Sequence, residues 1–200
     1  MRVIIIDNYD SFTYNLVQYI EEVLLQEIDV YRNDEIEINA LEAYDAIVIS
    51  PGPGIPSESG ITMEVIKKYG PSKCIFGVCL GLQAITEVYG GEIYNLDTVF
   101  HGVSTQIEIL DKSDVIFKNI ESPFEAGRYH SWAAEKTKIP DDLVITAVDE
   151  EGSIMALRHK THQVYGVQFH PESIMTKVGK DLLKNFLDHA AQIKEANKVA

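Results

Sequence analysis

The sequence predicts an α/β fold: an open, largely parallel, doubly wound sheet with flanking helices, and additional antiparallel strands in its second half. Three observations carry that expectation. Over residues 1–90, aliphatic runs alternate with segments of helical periodicity, the pattern of parallel strands joined by crossover helices. The first run, ending at Asp7, is continuously aliphatic rather than alternating, as a strand covered on both faces is. After Gly90-Gly91 short strands follow one another, and several alternate in polarity like half-exposed antiparallel strands.

The elements follow in order. Residues 2–6 form the first strand, ended by Asp7. Asn8-Tyr9-Asp10-Ser11 is turn chemistry, with Ser11 placed to cap a helix. Phe12, Leu16, Tyr19, Ile20, Val23 and Leu24 recur at helical spacing. Residues 28–31 and 46–50 are the second and third strands, the latter closed by Pro51-Gly52-Pro53-Gly54. Ile61, Val65 and Ile66 mark the next helix, residues 74–78 the fourth strand, and residues 81–89 the helix after it. Beyond lie strands at 93–94, 104–109, 124–129, 143–148, 154–157 and 164–169, with Thr105-Gln106-Ile107-Glu108-Ile109 a clear alternation. A last helix over 179–193 carries Leu182, Leu183, Phe186 and Leu187 on its apolar face. No repeat, low-complexity tract or linker interrupts the pattern, so residues 1–200 are expected to form a single domain.

Composition narrows the function classes. Hydrophobic residues make up 46% and charged residues 24%, the balance of a globular chain rather than a disordered or membrane-spanning one. No apolar run approaches the roughly 20 residues that span a bilayer. The run at residues 3–6 is too short for a secretory signal, so the cytoplasm is the expected location. A net charge of -14 with no basic stripe argues against nucleic acid. It fits a soluble surface, or docking onto a basic partner. Two cysteines five positions apart, Cys74 and Cys79, do not make a disulfide framework, and one of them can be a reactive thiol.

Ligands in doubly wound sheets bind beyond the carboxyl ends of the strands. Asp7, residues 50–54 and Cys79 all fall there. Gly77-Val78-Cys79-Leu80-Gly81 has the form of a nucleophile elbow, a sharp strand-to-helix turn whose flanks need residues without a Cβ. The helix that follows points its amides toward the sulfur and favours thiolate. The plain alternative is a buried cysteine in a tight turn. Cys74, inside an apolar strand, is expected only to pack.

A thiolate nucleophile needs a base, and the base an orienting group. Of six histidines, His101, His130 and His170 follow apolar or aromatic runs, whereas His159, His162 and His189 sit in polar or helical contexts and are expected to be solvated. His170 ends a strand in Gly166-Val167-Gln168-Phe169-His170-Pro171-Glu172, and an extended spacing of two would put His170 and Glu172 on one side. A strand-end histidine beside an ordinary surface glutamate is the alternative. Pro51-Gly52-Pro53-Gly54 is stiff and leaves amides exposed, which suits either an oxyanion hole or a tight loop without a ligand. No Lys-Ser/Thr follows it, so it is not a phosphate loop, and the cysteines and histidines lack metal-ligand spacing.

At these residues the sequence resembles the class I (triad) glutamine amidotransferases over nearly its whole length. The shared features are Pro51-Gly52-Pro53-Gly54, Gly77 through Gly81 with Gln83, and Phe169-His170-Pro171-Glu172. The resemblance implies that Cys79 attacks the glutamine side-chain amide, His170 relays the proton, Glu172 orients the histidine, and water cleaves the glutamyl thioester. Residues 7–16, Val99-Phe100-His101-Gly102 and Gly127-Arg128-Tyr129-His130-Ser131 are similar to glutaminase subunits of anthranilate synthase and aminodeoxychorismate synthase. That branch implies glutamine held by Gly52, Pro53, Gly54, Gln83, Ser131 and Trp132, with the amides of Gly54 and Leu80 as oxyanion donors. Leu82, Val103 and Trp132 depart from its usual histidine, lysine and leucine.

The resemblance further implies a separate chorismate-binding synthase subunit as partner, because no segment is left for a synthase domain. Ammonia would reach it through an interior passage, and the glutaminase would be poorly active alone. It implies no cofactor or metal in this chain, and Mg2+ on the partner. The rivals are a glutaminase serving a GMP or carbamoyl phosphate synthase, a cysteine hydrolase or protease of similar fold, and a non-enzymatic binding module with an inert Cys79.

Overall fold

The computed structural model describes residues 1–199. Its first half alternates strand and helix: β1 (Val3–Asp7), α1 (Thr13–Leu24), β2 (Asp29–Arg32), β3 (Ala46–Ile49), α2 (Thr62–Tyr69), β4 (Cys74–Val78) and α3 (Leu80–Val88). The second half runs β5 (Ile93–Asn95), β6 (Val103–Ile109), β7 (Phe124–Arg128), β8 (Trp132–Ala134), β9 (Leu143–Asp149), β10 (Ile154–His159), β11 (Val164–Val167) and α4 (Gly179–Val199). Nine strands form one sheet in the order β2-β1-β3-β4-β11-β10-β9-β6-β7, and β5 pairs with β8 in a separate two-stranded sheet. From β2 to β11 neighbouring strands are parallel, and from β11 onward every pairing is antiparallel.

The apolar runs explain the layering. Every residue of β1, β3, β4 and β11 is buried, and the period of two sends alternate side chains to opposite faces. Val3, Ile5, Val48, Phe76 and Val78 pack with Leu16 and Ile20 of α1 and with Leu183 and Phe186 of α4. Ile4, Ile6, Ile47, Ile49 and Ile75 pack with Val65 and Ile66 of α2 and with Leu82 and Ile85 of α3. Each fully buried aliphatic side chain contributes about 1.5–3 kcal/mol, so two apolar helix pairs, one per face, hold the parallel half rigid.

Four sequence expectations change. Ser11 does not cap α1, which begins at Thr13 with no side-chain cap. The turn is held instead by Asp10 Oδ1, which accepts from the Phe12 amide at 2.8 Å, and by Thr13 Oγ1, which donates to Asp7 Oδ1 at 2.7 Å. The last strand stops at Val167, not 169. Past it, Gln168 donates its amide to Met155 O and His170 to Gly127 O, each at 2.9 Å. That strand is also not simply antiparallel, since β11 lies parallel to β4 and antiparallel to β10. His159 is buried, not solvated: its ring stacks on His162 at 4.0 Å and lies 4.5 Å from the Tyr89 ring. Sequence reading also missed β8 and ended the final helix at 193. No helix among the described residues is long and apolar enough to cross a membrane.

Candidate active site

The turn from β4 into α3 is sharp because Cys79 adopts φ 53°, ψ -100°, a conformation rarely open to a residue with a Cβ. Such backbone strain costs about 1–3 kcal/mol and persists only where the surroundings enforce it. The flanking glycines show what enforces it. A Cβ on Gly77 would lie 2.6 Å from the Gly81 carbonyl carbon and 2.8 Å from Ile85 Cδ1, and one on Gly81 would lie 3.0 Å from Ile49 O. Both close approaches, helix onto strand and helix onto β3, require glycine. The thiol is thereby set at the first turn of α3, with Leu80 N–H lacking an intrahelical acceptor. Cys74 lies within β4, and burial pushes its thiol up to about 11. It packs, as its apolar context predicts.

His170 and Glu172 meet, but through a turn rather than an extended strand: His170 bridges to Gly127, and Pro171-Glu172 follow in a turn. His170 Nδ1 is 2.6 Å from Glu172 Oε1, and both side chains are almost completely buried. Burial opposes a charged imidazole, but the neighbouring Cys79 sulfur and the Glu172 carboxylate outweigh it and hold the His170 pKa well above its ordinary value. His170 Nε2 makes no well-formed hydrogen bond in this resting arrangement. Thr176 Oγ1 fixes the loop by donating to His170 O at 2.7 Å and accepting from the Gly127 amide at 3.0 Å. Phe12 and Tyr129 wall the imidazole, with ring centroids 5.6 and 4.9 Å away.

Gly52, Pro53, Gly54, Cys79, Gln83, Ser131 and Trp132 line one small cleft of about 120 Å3, joined by Tyr129 and His130. All the sequence-named glutamine-binding residues except Leu80 therefore face the same space as the thiol. The Leu80 side chain is buried, so only its amide could serve. The amides of Gly54 and Leu80 make no hydrogen bond among the described residues. Gly54 sits at φ 75°, and a Cβ on Gly52 would come within 2.5 Å of Asn8 Cβ. Asn8 shapes this loop from beneath: its amide donates to Ser50 Oγ at 2.8 Å and its Nδ2 to Ser50 O at 3.0 Å. Thr62 Oγ1 and Asn33 Nδ2 donate to Asn8 Oδ1. Within the motif at residues 7–16, Asn8 thus builds the loop and Phe12 walls His170, and neither lines the cleft.

Of the three departures, Leu82 is fully buried in the core between α3 and the sheet and is absent from the cleft lining. Trp132 does line the cleft, and Val103 is exposed on β6 opposite Arg128.

Sequence reasoning missed a buried network behind the Ser131-Trp132 wall. Arg128 is 1% exposed, and its Nη1 is 2.6 Å from Asp149 Oδ2. Its guanidinium lies 3.6 Å over the Phe100 ring, and its Nε donates to His130 Nε2 at 3.0 Å. Arginine can only donate there, so His130 carries its proton on Nδ1 and gives it to Trp132 O at 2.8 Å. Gln83 Nε2 donates to the same carbonyl at 2.9 Å. The signal was an arginine inside a strand, which local pattern does not separate from an exposed one. Among the described residues, no group of three or more His, Cys, Asp or Glu side chains is placed to hold a metal.

Comparison with known proteins identifies the family of the chain. The family model described as class-I glutamine amidotransferase matches residues 4–190. The Bacillus subtilis protein named aminodeoxychorismate/anthranilate synthase component 2 is 47% identical, with 93% of this chain and 95% of that protein covered. Anthranilate synthase component 2 of Thermus thermophilus is 44% identical, over 94% of this chain and 92% of that protein. The bifunctional protein TrpGD of Thermotoga maritima is 46% identical over 98% of this chain, which spans 34% of that longer protein. Among solved structures, a putative GMP synthase subunit from Thermoplasma acidophilum superposes with TM-score 0.87 at 25% identity, covering 99% of this chain and 98% of that one.

Proposed function

The chain belongs to the class-I glutamine amidotransferases, and we propose that it serves an anthranilate synthase by hydrolysing L-glutamine through Cys79, His170 and Glu172. In this reading residues 1–200 act as one glutaminase domain, and a separate chorismate-binding subunit receives the ammonia. The observation that carries the chemistry is the buried His170–Glu172 pair, 2.6 Å apart, beside a cysteine held in an elbow. The branch rests on 44–47% identity to anthranilate synthase and dual-function component 2 proteins along nearly their whole length.

Cys79 Sγ attacks the side-chain amide carbon of glutamine. The carbonyl oxygen gains negative charge within reach of the Gly54 and Leu80 amides, donors that make no hydrogen bond among the described residues. His170 takes the Cys79 proton as the sulfur attacks and, with Glu172 favouring its charged form, gives that proton to the amide nitrogen as the carbon–nitrogen bond breaks and ammonia leaves. Water then adds to the thioester, His170 takes the water's proton and returns it to the sulfur as the carbon–sulfur bond breaks, and glutamate departs with the thiol restored. Gln83, Ser131 and Trp132 hold the rest of the substrate in the cleft.

The chain copurified with its synthase partner supplies the test. Cys79→Ser should abolish glutamine-dependent anthranilate formation and leave ammonia-dependent formation intact. Failure of excess ammonium to rescue the variant complex would refute the division of labour. A product other than anthranilate, such as GMP, would reassign the branch.

A further inference from the structure

The parallel register of β4 and β11 pairs Val78 with Val167. The next residue of each strand therefore leaves the sheet side by side: Cys79 from one, Gln168 from the other. Cys79 N–H donates to Val167 O at 2.8 Å, which locks the two chain segments together. Gln168 Nε2 then donates to Cys79 Sγ at 3.5 Å. At the other end of the same carboxamide, Oε1 accepts from Gln83 Nε2 at 3.3 Å. Gln83 also donates to Trp132 O, and both Gln83 and Trp132 line the cleft. Gln168 is completely buried, and its backbone amide is tied to Met155 O. His170 Nε2 makes no well-formed hydrogen bond among the described residues, although the sulfur is near enough to raise the His170 pKa, so Gln168 is the donor with a defined bond to the sulfur.

We propose that Gln168 is a positioning residue that aims the Cys79 sulfur and, through Gln83, ties that aim to the seating of glutamine in the cleft. This rests on reading Cys79 as the nucleophile and Gln83 as a glutamine-binding residue. A carboxamide suits both ends. An N–H directed at sulfur favours its anionic form, and a carbonyl satisfies the Gln83 amide. An ionised glutamate would serve Gln83 but offer the sulfur no donor and a repelling charge. A methionine of similar size would serve neither end. A merely structural Gln168 would affect folding without favouring the thiolate.

The experiment measures the pH dependence of Cys79 alkylation by iodoacetamide, mapped by mass, in the full chain and its Gln168→Met and Gln168→Glu variants. Glutaminase saturation curves are recorded on the same chains with the copurified synthase subunit. Gln168→Met should move the alkylation midpoint upward by about one pH unit, from loss of one hydrogen bond to an anion. Gln168→Glu should move it at least as far because its carboxylate adds repulsion, and both should lower kcat about tenfold. Gln168→Glu should keep KM closer to the unsubstituted value than Gln168→Met, because its carboxylate still accepts from Gln83. If Gln168→Met does not fold, Gln168→Glu, which keeps the shape, decides the question alone. An unchanged midpoint in a folded variant overturns the proposal while leaving the nucleophile reading intact. No labelling of Cys79 in the unsubstituted chain overturns that reading and the proposal with it.

Discussion

His130 should make the protein lose stability on acidification. Its ring is 5% exposed, accepts from Arg128 and donates to Trp132 O, so it is neutral in the fold. Burial first, and then the Arg128 charge, push its pKa down from 6.5 to about 4. In the unfolded chain it titrates near its ordinary value of about 6.5. Between those values the unfolded state binds more protons than the folded one, so stability rises with pH across that window and falls on acidification. The full effect is about 3 kcal/mol, of which about 2 kcal/mol is lost by pH ~5. His170 has the opposite sign: its raised pKa gives stability that is complete below the unfolded value and is lost as pH climbs through the folded one. Comparing two chains that both keep His170 cancels that contribution. Urea unfolding of the unsubstituted chain and His130→Gln, each at about pH 7.5 and about pH 5, is the assay. The pH-dependent loss should be smaller in His130→Gln by about 2 kcal/mol. Equal losses in the two chains would refute the argument that His130 is buried and neutral.

Two further outcomes follow from the same geometry. Glu172→Ala should keep more glutamate release than His170→Ala, which forfeits about 10² to 10⁴ in rate, and the double variant should match the histidine variant. A folded Glu172→Ala more damaged than His170→Ala would reverse the roles. Arg128→Met should cost about 3–5 kcal/mol, because it strands Asp149 beneath the surface. Adding Asp149→Asn should recover at least about 1–2 kcal/mol of that in a double-mutant cycle read by chemical unfolding, whereas strict additivity would mean that the pair is not coupled.

What could be read from sequence was what local chemistry determines. Unbroken apolar runs identified β1, β3 and β4, because a strand covered on both faces has no polar side to hide, whereas the edge strand β2 is partly exposed and carries Asp29 and Arg32. Gly77 and Gly81 announced the elbow, since the close approach of α3 to β4 and β3 admits no Cβ. The same logic paired His170 with Glu172, although a turn rather than an extended strand brings them together. Long-range placement was not legible. That β6 sits between β9 and β7, or that Trp132–Ala134 forms a strand against Ile93–Asn95, depends on partners far along the chain. Arg128 and Gln168 are polar residues buried by tertiary packing, and their partners Asp149, Cys79 and Gln83 lie outside any short window. His159 accepts from the nearby Thr161 and His162 amides, but its burial against Tyr89 depends on a distant helix end. Ser11 caps nothing, since α1 begins two residues later without a side-chain cap and Asp10 and Thr13 hold the turn, a choice that propensity does not resolve.

The central claim is that this chain cleaves glutamine through a thioester on Cys79. Reaction of the partner-bound chain with a glutamine-derived electrophile, followed by peptide mass mapping and a glutaminase assay, tests it directly. The account predicts one modification, at Cys79, rising in step with complete loss of glutamate release. Cys74, buried in β4 with its thiol pushed up to about 11, should stay unmodified. Full inactivation with the label on Cys74, or full activity with Cys79 quantitatively blocked, would contradict it.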